Sequence, residues 1–226
     1  LKGEAERTEA MGPGPERVLR GKPITNGVVR GKAYPVLGGE LLETVQVQYT
    51  DDRSAEKELF EEALRVARED TVALQEEASA IVEEADAAIF YAHLLLLEDP
   101  TFNKRVYEAI DEGYDLRFSL KYVYNQFERE LSRLDNEMVR ERLADLKDVI
   151  IRIYQATDEL EGKSQRPVMQ AEGEGERELP IAVARELLPS QLIRLPLAEL
   201  TGIVCEQGGT TSHVAILART LRIPMI

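Results

Sequence analysis

The clearest pattern in the chain is a run of apolar positions that recur at alternating spacings of four and three residues. It consists of Phe60, Leu64, Ala67, Thr71, Leu74, Ala78 and Ile81. This spacing predicts one amphipathic helix of about thirty residues, starting near Ser54 and packed against other helices.

Four further helices are predicted after this one, at residues 85–97, 101–112, 116–134 and 137–160. Pro100 and Gly113 mark two of the boundaries, because proline and glycine interrupt helices. The last two helices carry apolar stripes, formed by Leu120, Val123, Tyr124, Phe127 and Leu131, and by Val139, Leu143, Leu146, Val149, Ile150 and Ile153. Residues 55–160 therefore predict an all-α helical bundle.

Strand patterns lie on both sides of this helical block. Short strands are predicted within 23–37, at 41–50 with Val45, Val47 and Tyr49 on one face, at 180–184 and at 201–206. Helical patterns follow in SQLIRLPLAEL and after Gly209, and the polar stretch 161–179 predicts a loop. The predicted fold is an α/β domain, formed by residues 22–54 and 161–226, that is interrupted by the inserted bundle at 55–160.

The two ends of the sequence carry weaker signals. Residues 1–21 include Gly-Pro-Gly-Pro and predict a linker or tail. The sequence stops in the apolar run RIPMI, which resembles the start of a strand. We therefore expect the chain to be a fragment of a longer protein.

Charge and composition narrow the function classes. The formal net charge is −14, and residues 51–86 hold thirteen acidic residues against four basic ones. This charge disfavours nucleic acids and anionic membranes as partners, whereas an acidic surface can attract a basic protein. No apolar stretch is long enough to span a membrane. One cysteine excludes an internal disulfide, so a cytoplasmic location is predicted.

The candidate chemistry lies in QGGTTSHVAILAR, residues 207–219, around His213, one of only two histidines. Gly208 and Gly209 permit a sharp turn, and Ser212 or a neighbouring threonine provides a helix N-cap. The positive end of the helix then stabilises an anion. These residues leave two interpretations open: a nucleophilic phosphoryl acceptor, or a capped helix without chemistry.

The stretch GGTTSHVAILARTLRIPMI resembles the phosphohistidine signature of phosphoenolpyruvate (PEP)-utilising enzymes. Three further stretches are similar to Enzyme I of the sugar phosphotransferase system or to its nitrogen-related paralogue. They are GKPITNGVVRGKA, AIFYAHLLLLEDP and LDNEMVRERLADLKDVI. The resemblance extends over residues 22–226.

This resemblance implies that PEP phosphorylates His213 on Nε2, and that His213 then passes the phosphoryl group to a histidine of HPr or of an HPr-like carrier. It implies that the turn is supported by Gly208, Gly209, Thr211, Ser212 and Arg219. The carrier-docking surface would include Glu83, Glu84, Ala88, His93, Leu95 and Arg142.

The resemblance also implies a homodimeric full-length enzyme whose PEP and Mg²⁺ sites lie in a later barrel domain. No metal site is predicted within this chain, because two histidines and one cysteine, distant in sequence, do not form one.

Two positions depart from the Enzyme I pattern and favour a divergent member such as the nitrogen-type enzyme. Leu188 replaces a threonine that orients the active histidine, which leaves Ser190 or a backbone group for that role. Asp86 replaces a lysine near the start of the docking helix. Arg142 and Asp145, three residues apart, are predicted to pair at the surface or between helices.

Two alternative functions remain. One is a non-catalytic acidic helical adaptor in which His213 is idle. The other is the swivelling domain of a PEP synthase or dikinase, although that family lacks the helical insert.

Overall fold

The structure, a computed structural model, describes residues 18–131, 133, 136–163 and 180–226. Most of the predicted linker at 1–21 and of the predicted loop at 161–179 lies outside these residues. The described elements confirm the predicted fold class: the strands form one small parallel sheet, and the helical bundle is inserted in the sequence between the first and second of them.

Five helices form the bundle, in close agreement with the apolar patterns. They are α2 (Arg53–Ser79), α3 (Glu84–Leu97), α4 (Pro100–Asp111), α5 (Leu116–Leu131) and α6 (Glu137–Leu160), preceded by the short α1 (Leu41–Thr44). Side-chain caps fix several helix starts: Asp52 accepts from the Ala55 amide, and Asp99 accepts from the amides of Thr101 and Phe102. α6 packs against α2, α3 and α5, and α2 packs against all four of the other helices.

Two predicted details are wrong. α2 ends at Ser79 rather than continuing through Ile81. The amides of both Ile81 and Val82 donate to the Ala78 carbonyl, which forms a tight turn. In this turn Val82 is buried, whereas Ile81 is 45% exposed. The predicted strand at 41–50 is absent. Leu42 and Val45 are buried three residues apart, which is a helical spacing, and Val47 and Tyr49 are exposed.

The sheet consists of β1 (Lys32–Pro35), β2 (Pro180–Ala184) and β3 (Gly202–Cys205), all parallel and in that spatial order. The RIPMI run lies along the free side of β3, where the Ile203 amide donates to the Pro224 carbonyl at 2.8 Å. Residues 24–25 in turn bond to Met225. Two short helices, α7 (Pro189–Arg194) and α8 (His213–Thr220), complete this part.

The apolar side chains form two cores. The bundle core contains Phe60, Leu120, Val123, Ile150 and Ile153, among others. The shared core joins the end of α2 and much of α3 to the sheet, α7 and α8; its members include Leu74, Phe90, Ala182, Leu192 and Leu217. No helix in the described ranges combines the length and apolarity that crossing a bilayer requires.

Candidate functional site

The turn before α8 has the geometry that the glycine pair predicts. Gly208 adopts a φ of +144°, a conformation that favours glycine, although a Cβ there would meet nothing within 4 Å. Ser212 caps α8 and accepts a hydrogen bond from the Ala215 amide at 3.3 Å. Arg219 reaches back from the end of α8 and donates to the Thr210 carbonyl. These contacts hold His213 at the first position of the helix.

His213 makes its main contact with Asp145 of α6, a residue from the inserted bundle. Nδ1 of His213 lies 3.0 Å from Oδ1 of Asp145, and the imidazole remains one-third exposed. The hydrogen bond to Asp145 raises the pKa of His213 against the opposing effect of burial, with a further contribution from the charge of Glu141. Burial raises the pKa of Asp145, but its contacts with His213 and His93 outweigh burial and bring that pKa below the ordinary value.

This contact determines which nitrogen of His213 carries the hydrogen and which has a free lone pair. A carboxylate can only accept, so Nδ1 carries the hydrogen and the lone pair of the neutral ring resides on Nε2. The same carboxylate stabilises positive charge on the ring when Nε2 forms a bond. Asp145 therefore orients the imidazole of His213, a contact that the apolar side chain of Leu188 cannot make.

Ser190, the side chain expected to orient His213, makes its hydrogen bonds with a different residue. Leu188 is buried in the bundle core, and Ser190 donates through both its hydroxyl and its amide to Asp148. The prediction that Ser190 or a backbone group orients His213 is therefore wrong. The predicted pairing of Arg142 with Asp145 is also wrong, because Asp145 is buried against the two histidines while Arg142 is exposed.

Behind Asp145 lies a buried polar network. Nε2 of His93 is 3.8 Å from Oδ1 of Asp145, and Nδ1 of His93 is 3.5 Å from Nη2 of Arg152. Arg152 also donates to Asp148 at 3.1 Å and to the Thr71 hydroxyl at 2.6 Å. The polar chain thus runs from His213 at the surface into the centre of the bundle.

The residues on α6 that sequence reasoning missed follow a simple spacing. Glu141, Asp145, Asp148 and Arg152 recur at intervals of four, three and four, and Glu141 accepts a hydrogen bond from Thr211 at 2.8 Å. A charged stripe at that spacing, beside an apolar stripe with the same period, is the signal that points to a polar helix face directed at another element.

The predicted docking residues divide into two groups. Glu83, Glu84, Ala88, Leu95 and Arg142 are exposed. His93 is 0% exposed, so its predicted place on a carrier-binding surface is wrong; its ring instead packs edge-on against Phe90 inside the protein.

The exposed face of α3 is unusually apolar. It presents Ala85, Ala88, Tyr91, Ala92 and Leu95, with Tyr91 57% and Leu95 53% exposed. Glu83 and Glu84 lie at the start of this face, and Asp86 accepts a hydrogen bond from Thr220 of α8. We call this surface the α3 face.

Comparisons with known proteins agree with this architecture. Residues 20–142 match the family model of PEP-utilising enzymes, N-terminal, and residues 177–226 match the mobile domain of PEP-utilising enzymes. A phosphoenolpyruvate-protein phosphotransferase from Bacillus subtilis is 34% identical over 210 residues, covering 92% of this chain and 35% of the relative. The chain thus spans about a third of that relative's length.

Two solved structures have the same fold. A solution structure of Enzyme I has a TM-score of 0.65 and 29% identity, covering 92% of this chain and 82% of that one. The N-terminal domain of the nitrogen-type Enzyme I has a TM-score of 0.59 and 27% identity, covering 90% and 80%.

Proposed function

Because the chain belongs to the family of PEP-utilising enzymes and corresponds to the N-terminal part of Enzyme I, we propose that His213 is its phosphoryl acceptor and donor. In the whole protein, His213 takes the phosphoryl group of PEP and passes it to a histidine of HPr or of an HPr-like carrier. The observation that carries this proposal is the 3.0 Å contact between Nδ1 of His213 and Asp145, which leaves Nε2 as the nucleophile.

The proposed transfer follows from the ring chemistry. The Nε2 lone pair attacks phosphorus, a nitrogen–phosphorus bond forms, and the bond from phosphorus to the enolate oxygen of PEP breaks. Nδ1 keeps its hydrogen, so the phosphorylated ring is cationic and Asp145 compensates it. The N-terminus of α8, capped by Ser212, adds favourable partial charge for the phosphoryl oxygens. Transfer to the carrier reverses these steps, with the carrier's imidazole as the nucleophile.

Carrier docking is proposed for the α3 face. A mixed apolar and aromatic surface of this kind suits a protein partner, because burying it is favourable while charged groups at the rim guide association. Glu83 and Glu84 provide negative charge at its start, so the preferred partner presents positive charge there. Arg142, also exposed, is retained as a proposed contact on α6.

The remaining components belong to the whole protein. We propose that PEP and Mg²⁺ bind outside this chain, that the full-length protein is a homodimer, and that it works in the cytoplasm. Within the described ranges no three His, Cys, Asp or Glu residues cluster in a way that would hold a metal ion.

The decisive experiment measures acid-labile phosphate on the chain after incubation with phosphorylated HPr. We expect the wild type to become labelled reversibly in the presence of a metal chelator, and His213→Ala to take up no label while keeping its circular dichroism spectrum. Label on His213→Ala would refute the assignment. A wild type that binds the carrier without ever becoming labelled would favour the non-catalytic adaptor.

A companion experiment tests the α3 face. Replacing both Glu83 and Glu84 with Lys should slow association with HPr, and the effect should shrink at high salt, because exposed charges are screened beyond about 8 Å at physiological ionic strength. Glu108→Lys combined with Glu112→Lys makes the same charge change at exposed positions at the end of α4 and is the matched control. Equal slowing in both double variants would contradict docking at α3.

A further inference from the structure

His93 is buried, yet it lies directly behind the pair formed by His213 and Asp145. Its Nε2 is 3.8 Å from Oδ1 of Asp145, the same oxygen that Nδ1 of His213 contacts at 3.0 Å. One carboxylate oxygen therefore faces two imidazoles. These are also the only two histidines in the sequence.

Arg152 determines which nitrogen of His93 carries the hydrogen. A guanidinium group only donates, so its approach to Nδ1 of His93 at 3.5 Å places a lone pair on Nδ1 and the hydrogen on Nε2. Nε2 is buried and has no hydrogen-bond partner. Its N–H faces Asp145 at a distance too long for a hydrogen bond, but one at which attraction to a buried carboxylate remains substantial.

Groups from several elements fix this arrangement. On α6, Asp148 accepts from Arg152, and on α2, Thr71 accepts from Arg152 while Asp70 lies 3.6 Å from its Nε. Ser190 of α7 donates to Asp148 from the other side. Arg152 is therefore held in place, and it holds His93 in one tautomer.

We propose that His93 is a positioning residue that acts on His213 through Asp145. Its Nε2–H stabilises the Asp145 carboxylate and so limits how strongly that carboxylate binds the protonated ring of His213. The inference rests on the proposed function, since it concerns the readiness of His213 to accept a phosphoryl group.

Without the Nε2–H of His93, the Asp145 carboxylate is less stabilised and pairs more strongly with protonated His213, so the pKa of His213 rises further. At neutral pH a smaller fraction of His213 then has a free Nε2 lone pair, and phosphoryl acceptance becomes slower. Raising the pH restores the neutral ring and the rate.

Three variants test this proposal. His93→Leu removes the N–H, whereas His93→Gln retains an amide N–H near the position of Nε2. Leu97→Ala, one helical turn further along the buried side of α3, controls for loss of packing. Nitrogen-15 NMR of the chain reports the tautomer and titration of His213, and in the His93 variants every imidazole resonance belongs to His213.

We expect the pKa of His213 to rise by roughly half a unit in His93→Leu and to stay near the wild-type value in the other two variants. Acceptance from phosphorylated HPr at neutral pH should fall about threefold in His93→Leu and recover at higher pH. If His93→Leu does not fold, His93→Asn replaces it, because its shorter amide reaches Arg152 but not Asp145.

An unchanged titration of His213 in the variant without the N–H would overturn the proposal. A shifted titration in a chain that never accepts phosphate, the wild type included, would support the action of His93 on His213 and refute the proposed function instead. The NMR measurement needs no carrier, so these two failures are separable.

Discussion

The bundle core and the shared core differ in how the chain supplies them. Nearly all side chains of the bundle core come from one continuous stretch, residues 60–156. The shared core combines residues 74–90 of the inserted helices with residues 182–225 of the α/β part. The apolar core of the α/β part thus includes side chains from α2 and α3, and the carboxylate that contacts His213 comes from α6. The inserted bundle therefore contributes both to the packing of the α/β part and to the proposed site at His213.

The largest test of this difference compares two buried leucines. Leu120 belongs to the bundle core and Leu192 to the shared core, and both are fully buried. Replacing either with Ala should lower the free energy of unfolding by about 2–5 kcal/mol. Amide hydrogen exchange should then distinguish the two variants. In Leu192→Ala, the amides of residues 180–226 should lose protection while those of α4 and α5 keep it. In Leu120→Ala, the amides of the bundle and of residues 180–226 should both lose protection. A sheet that stays protected in Leu120→Ala would show that it does not depend on the bundle.

The next test removes the Asp145 carboxylate, the negative charge that α6 places beside His213. Asp145→Asn should slow phosphoryl acceptance by about 100-fold, equivalent to ~2.7 kcal/mol, because the amide neither fixes the tautomer nor stabilises the cationic ring. The pKa of His213 should fall towards its ordinary value, so the acidic limb of the rate profile moves to lower pH. Asp158→Asn, which breaks a different α6 ion pair with Arg117, is the matched control and should leave that limb in place.

The same pair affects stability with a defined sign. The raised pKa of His213 means that its contribution is fully present below the unfolded-state value of about 6.5 and disappears as the pH rises through the folded-state value. Chemical denaturation of the wild type should show this loss, and Asp145→Asn should abolish it. An identical pH dependence in both proteins would contradict the pairing.

The smallest test compares two helix caps. Ser212→Ala at α8 and Asp99→Ala at α4 should each lower the free energy of unfolding by about 1 kcal/mol. Only Ser212→Ala should also slow phosphoryl acceptance, because only that helix start carries His213. Equal slowing by the two variants would mean that general stability, rather than the local geometry of α8, limits the reaction.

The helices were predictable because their evidence is local. α6 begins and ends at the residues predicted, since its apolar stripe persists through the helix and Asn136 caps its start. The segment at 41–50 was not predictable, because Val45, Val47 and Tyr49 alternate with polar residues in the way that is typical of a strand. The buried positions are decided by packing: Leu42 and Val45 point inward, and Lys121 of α5 donates to the Val45 carbonyl.

The site was only half predictable for a related reason. The glycine turn, the Ser212 cap and His213 lie together in sequence, so their pattern is visible. Asp145 is 68 residues away. The charged spacing on α6 indicates a polar helix face, but it does not indicate which distant element that face contacts, and acidic side chains on helices ordinarily lie in solvent. His93 illustrates the opposite error: sequence similarity places it on a docking surface, whereas the packing of α3 against α6 buries it.

The contact of residues 24–25 with the RIPMI run has a consequence for the order of folding. The Thr25 hydroxyl donates to the Ile223 carbonyl, 198 residues along the chain. β1 likewise pairs with β2, and the whole helical insert separates these two strands in sequence. Closing such long loops is entropically costly until other contacts shorten them, whereas helices form within short stretches. We therefore expect the bundle to assemble first during synthesis and to bring the sheet strands together. The contact at residues 24–25 then forms last, as the step that completes the native topology.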